Sequence, residues 1–86
     1  MKITKVEDIY KRQNLSDEIF IKIKFMKRKL GDSQTLVIVK LIDKHNGNST
    51  REELNNEIIR IIGKEGLLSI EQTLNYIIKM SGIKFK

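Results

Sequence analysis

Five cationic side chains, Lys22, Lys24, Lys27, Arg28 and Lys29, follow one another with no acidic residue between them, and Lys11 and Arg12 stand just upstream. On a helix whose inner face carries Ile19, Ile23, Met26 and Leu30, Lys24 and Arg28 project from the opposite side and Lys27 flanks them. Such a face suits a phosphate backbone, where each neutralised phosphate releases counterions and makes binding depend on salt. The plainer account of the same residues is a solvated Lys-rich face, with Lys27 to Lys29 set against the negative end of the helix dipole. A groove on a partner protein or an anionic membrane surface would also receive a basic amphipathic helix.

The charge is unevenly placed. Residues 1–31 hold nine Lys or Arg against four acids, and residues 32–86 hold eight against seven, so most of the formal net charge of +6 lies in the N-terminal third. The groups that could do catalysis are few. His45 is the single histidine and falls near a predicted helix end, where a polar or positive group satisfies terminal carbonyls. The acidic pairs Glu7/Asp8, Asp17/Glu18 and Glu52/Glu53 each fall in a predicted first helical turn, where the dipole accounts for them. No phosphate loop, metal-ligand cluster or nucleophile elbow is legible. The chain reads as a non-enzyme with no catalytic residue, no metal and no cofactor.

The elements that must carry these residues are marked by their ends. Gly31, Gly47, Gly63 and Gly82 sit where amphipathic runs stop, the usual place of a helix C′ glycine. Thr4 with Glu7, Ser49 with Glu52 or Thr50 with Glu53, and Ser69 with Gln72 have the spacing of capping boxes. Asn14 or Ser16 ahead of Asp17 and Glu18, and Asp32 or Ser33 ahead of Gln34, are looser starts. These signals predict helices over residues 5–13, 16–30, 34–46, 50–62 and 70–81. Apolar stripes support them: Leu15, Ile19, Ile23, Met26 and Leu30; Leu54, Ile58, Ile61 and Ile62; Ile70, Leu74, Ile77 and Ile78. Residues 36–42 are apolar nearly all round, as in the central helix of a small bundle. Two strand alternatives stay open here: over residues 18–26, where Ile21, Ile23 and Phe25 alternate with Lys22 and Lys24, and over the short apolar run after Thr35. The expected fold is all-α, a compact bundle of about five short helices, with room for a short strand at the C-terminus.

A chain of 86 residues without a linker-like stretch is expected to form one domain, and a chain of this size buries only about 60% of its unfolded surface. It has no cysteine and no proline, which excludes disulfides and thiolate metal sites. The longest apolar run, Leu36-Val37-Ile38-Val39, is far short of the roughly 20 residues of a membrane span, and no signal-peptide stretch is seen, so a cytoplasmic protein is expected. The sequons at Asn14 and Asn48 are more simply cap residues.

The segment from residue 34 onward resembles the tri-helical core of winged helix-turn-helix proteins. The resemblance rests on Asn48-Ser49-Thr50-Arg51-Glu52-Glu53-Leu54 opening a middle helix and Ser69-Ile70-Glu71-Gln72-Thr73-Leu74-Asn75-Tyr76-Ile77-Ile78-Lys79 forming a last one, followed by Ser81-Gly82-Ile83-Lys84-Phe85-Lys86. Residues 63–68 make a longer connection than the three- to four-residue turn of that motif. The resemblance implies that Gln72, Thr73, Asn75, Tyr76 and Lys79 lie on or beside a helix face that enters a major groove. Gln and Asn can read adenine, Lys guanine or phosphate, and Thr a thymine methyl. Double-stranded DNA is then the expected partner, met by a homodimer, with a regulatory or accessory role. The other reading is an interaction module or accessory subunit bound to a larger protein, with Tyr10, Phe20, Phe25 and Tyr76 as candidate anchors. Core packing is the expected role of Phe20 and Phe25.

Overall fold

Helix–helix packing organises the chain. The computed structural model describes residues 5–11 and 18–86, which form α1 (Val6–Lys11), α2 (Glu18–Leu30), α3 (Asp32–His45) and α4 (Arg51–Met80), with no strand among the described residues. The radius of gyration, 11.9 Å, agrees with the about 12 Å expected of a compact chain of this length. The sequence signals at Thr4, Arg12, Asn14, Leu15, Ser16 and Asp17 lie outside the described residues.

Both strand alternatives give way to helix. A strand would place Ile21, Ile23 and Phe25 on one face, whereas α2 buries Phe20, Ile23 and Met26 and turns Ile21 and Phe25 outward. In α3, Thr35, Ile38, Val39, Ile42 and His45 form the buried face. Val37 is exposed, so this helix has an outer side despite its apolar composition.

Two junctions replace expected loops. Gly31 has φ 85° and ψ 165°, and Gly63 has φ 81° and ψ 168°. This region is open essentially to glycine alone. Each glycine therefore joins helix to helix within one residue. At Gly31 the N–H donates back to the Lys27 carbonyl and the carbonyl accepts from Thr35, so one residue closes α2 and opens α3. Asp32 and Ser33 are thus inside the first turn of α3 rather than ahead of it, and no side chain caps that helix. At Gly63 the kink divides α4 into arms over residues 51–62 and 64–80. The connection expected over 63–68 is helical apart from Gly63, and the start expected at Ser69 is interior helix, with the Ser69 hydroxyl donating to the Gly66 carbonyl at 2.7 Å.

The other ends follow the capping signals. Of the two boxes offered before α4, Thr50 with Glu53 is the one formed: Glu53 N–H donates to Thr50 Oγ1 and Thr50 N–H donates to Glu53 Oε1, at 3.1 and 2.8 Å. The Glu53 carboxyl is held below its ordinary value of 4.5 chiefly by that backbone bond. At the far end, Gly82 N–H donates to Lys79 and Ile83 N–H to Ile78, the paired bonds of a Schellman turn. This turn directs Ile83 into the core. Residues 84–86 then run beside the α3–α4 loop, where Gly47 N–H donates to Lys84 and Lys86 N–H donates to Ser49. These bonds form no strand.

One apolar cluster joins Val6 and Ile9 of α1, Ile23 and Met26 of α2, Ile38, Val39 and Ile42 of α3, and Leu54, Ile58, Ile70, Leu74 and Ile77 of α4. In the first arm of α4, Ile61 departs from the expected stripe and is exposed, while Ile62, four residues after buried Ile58, packs against the cluster in its place. Helix α3 packs on all three others, and α2 packs on α4 as well. Two polar links add to this. Val6 N–H and Glu7 N–H donate to the two carboxylate oxygens of Asp43 at 2.9 and 3.0 Å, so α1 is capped by a residue of α3. Buried His45 sets its Nε2 2.8 Å from Glu57 Oε2, tying the end of α3 to the first arm of α4.

Candidate nucleic-acid interface

The outward face of α2 follows from its buried one. With Phe20, Ile23 and Met26 inside, positions 21, 24, 25 and 28, spaced three and four apart, must share the solvent side. Ile21 is 50% and Phe25 40% exposed, and Lys24 and Arg28 are exposed beside them. These four residues line a shallow depression of about 270 Å³. The expectation that Phe25 belongs to the core is therefore corrected: it lies one position away from the buried stripe, and only Phe20 of that pair is buried.

The contact of α2 with the second arm of α4 builds a neighbouring groove. It measures about 380 Å³ and is lined by Ile21, Lys22 and Phe25 from α2 and by Gln72, Thr73 and Tyr76 from α4. Ile21 and Phe25 line both depressions and so connect them. Tyr76 is held at the seam: its hydroxyl bonds the Glu18 carboxylate, and the Lys22 ammonium lies 5.3 Å from its ring centroid. Lysine over an aromatic face is attracted by the ring quadrupole, which adds to the join between the two helices.

The ten residues expected to contact nucleic acid thus separate into groups. Lys22, Gln72, Thr73 and Tyr76 meet in the groove, and Lys24 and Arg28 stand at the adjoining depression. Lys29 is exposed, with its ammonium 5.3 Å from the Phe25 ring. Lys27 turns instead to α1, 4.3 Å from the Tyr10 ring, and is half-buried there. Thr73 is buried, so it supplies groove wall rather than a projecting contact. Asn75 accepts from Arg51 Nη2 at 2.6 Å, and Arg51 Nε also donates to Asn55. Burial pushes the Arg51 guanidinium down from its ordinary range, and nearby Glu71 opposes the change. Lys79 is exposed in the last turn of α4 and lines neither depression.

Sequence reasoning missed Ile21 as a surface residue and offered Phe25 as an exposed anchor only in the protein-partner reading, with core packing as its expected role. The signal was present, since residues 21, 25 and 28 form their own row on a helical wheel. It also missed Glu57 as the partner of His45, for which no local spacing exists. Its bond with His45 is the leading cause that holds the Glu57 carboxyl below 4.5. Among the described residues no three His, Cys, Asp or Glu side chains gather as a metal-ligand set, and no helix is long and apolar enough to cross a membrane. No family model, no curated protein and no solved structure matches this chain.

Proposed function

We propose that this chain is a small nucleic-acid-binding protein, regulatory or accessory in role, that holds a phosphate backbone on the outer face of α2 beside the edge of α4's second arm. The observation that carries the reading is the junction of the two depressions, which sets Lys22, Lys24 and Arg28 on one continuous surface with Gln72 and Tyr76. Cations carried on one helix reach neighbouring phosphates with their backbone already ordered, so only side-chain freedom is lost on binding. The helix-turn-helix version of the proposal needs the second arm of α4 to enter a major groove. Exposed Gln72 and Lys79 favour it, while buried Thr73 and the Asn75–Arg51 bond weigh against it.

The test is fluorescence anisotropy of a labelled mixed-sequence DNA, as duplex and as separated strands, at salt concentrations from about 50 to 200 mM. At least one form is expected to bind and to weaken with salt. Replacing Lys24 and Arg28 together by Ala should lower the log–log salt slope by roughly 1.4 to 1.8, from about 0.7 per phosphate on single strands and 0.9 on duplex. If neither form binds the folded protein at the lowest salt, the proposal fails. Exposed Ile21 and Phe25 favour a second reading, an accessory subunit or inhibitor that grips an acidic amphipathic segment of a larger protein.

A further inference from the structure

The basic face is not uniformly polar, and its apolar centre carries information about the form of nucleic acid it takes. Ile21 and Phe25 are half out of the core in the middle of the patch, with Lys24 and Arg28 beside them on one side and the groove with Gln72 on the other. A duplex offers this surface a wall of hydrated phosphates and keeps its base faces stacked inside. Pressing Ile21 and Phe25 against it would strip water from phosphate oxygens without returning a contact. An unpaired base has an open π-face and a free hydrogen-bonding edge, and its backbone is flexible enough to run beside a short row of cations.

We infer that the groove between α2 and the second arm of α4 receives unpaired bases of single-stranded nucleic acid, with Phe25 as the stacking platform. This rests on the nucleic-acid reading above. Lys24 and Arg28 hold the backbone on the near side of Phe25. Gln72, whose amide both donates and accepts, stands at the groove where a base edge arrives. Tyr76 is fixed by its hydroxyl bond to Glu18 and is less exposed than Phe25, so it supplies wall instead of a second platform. The Lys29 ammonium, 5.3 Å from the Phe25 ring, is on an exposed side chain that yields this position to a base. Stacking is indifferent to base identity, so the preference expected is for single strands over duplex, with weak discrimination among sequences.

The experiment uses the full chain with a labelled oligothymidylate of about 15 nucleotides, inside the roughly 4–16 nucleotides that single-strand-binding surfaces cover, and with a duplex of the same length. The single strand is expected to bind at least about 10-fold more tightly. Phe25→Ala should weaken single-strand binding by about 5-fold or more, the fold-change that corresponds to the lower end of base–aromatic stacking, about 1 kcal/mol, and should leave the salt slope unchanged. Phe25→Leu keeps an apolar side chain on the helix and removes the ring, so it should lose affinity to a similar degree while keeping the fold. Duplex binding that equals or exceeds single-strand binding, or a Phe25→Leu protein that binds the single strand like the parent, overturns the inference and leaves the broader proposal standing. Loss of all binding at low salt overturns both and directs attention to an acidic protein partner.

Discussion

Replacing Asp43 by Ala should release α1 from the bundle, and the cost can be worked from the contacts. The Asp43 carboxylate accepts from Val6 N–H at 2.9 Å and from Glu7 N–H at 3.0 Å, two of the four donors that a helix start leaves without an intrahelical partner. Bonds to a charged acceptor contribute about 1.5–3 kcal/mol each when the donors are sealed from water, whereas loss of an ordinary N-cap costs about 0.5–2 kcal/mol. Both bonds here are partly buried, so water recovers part of each donor in the variant, and about 2 kcal/mol is expected. For a chain of this length that corresponds to a fall in Tm of about 8–16 °C. Asp43→Asn keeps one carbonyl acceptor without the charge and should cost roughly half as much. Urea unfolding followed by circular dichroism gives the free energy, and amide exchange at Val6 and Glu7 locates it. Because α1 contributes Val6 and Ile9 to the core, a variant in which α1 has already left should also show a smaller m-value, since less surface remains to be exposed. A loss under about 0.5 kcal/mol with both amides still protected would show that the carboxylate is not what seats this helix.

The two glycine junctions should behave alike. Gly63→Ala and Gly31→Ala each place a side chain at φ near +80° with no atom within 4 Å of the new Cβ, so each should cost about 1–3 kcal/mol of backbone strain alone; a variant as stable as the parent in chemical denaturation would refute that junction's geometry. The carboxyls of Glu53 and Glu57 are both held below 4.5, by Thr50 and by His45, so their stabilising contribution is complete above that pH and is lost as the pH falls through the lower folded-state values. Tm measured against pH should therefore drop on the acid side, and a Glu53→Gln/Glu57→Gln protein should show a shallower drop; identical acid limbs would remove these two groups from the account.

The parts of the fold that were legible in advance are those set by neighbours in the chain. The Thr50–Glu53 box, the glycine stops and the inner stripe Ile23–Met26 on α2 depend on residues three or four positions apart, and local geometry is enough to specify them. The Ser69–Gln72 spacing looked the same and forms no cap, because the helix had already begun after Gly63 and a hydroxyl inside a helix turns to a carbonyl of its own preceding turn. A glycine can end one helix and open the next in a single residue, and the pattern of stops does not say how many loop residues follow.

For the candidate site, composition and periodicity determined that α2 is basic, amphipathic and positive on its outer side. They could not say that Lys27 would turn to Tyr10 or that Arg51 would take hold of Asn75. Nor could they say that Lys22 and Tyr76 would meet across a helix seam. Those pairings join residues 17 to 54 positions apart. Which of them form is decided by how the helices dock once their apolar stripes are buried together. The sequence by itself determined an all-α expectation and the sign of the charge, because both depend on side-chain type and near spacing, while the strand alternatives over residues 18–26 and after Thr35 were closed only by the packing. Only the tertiary structure decided which cations share a surface with the α4 arm and that Phe25 stands exposed among them, because that depends on the angle at which packed helices meet.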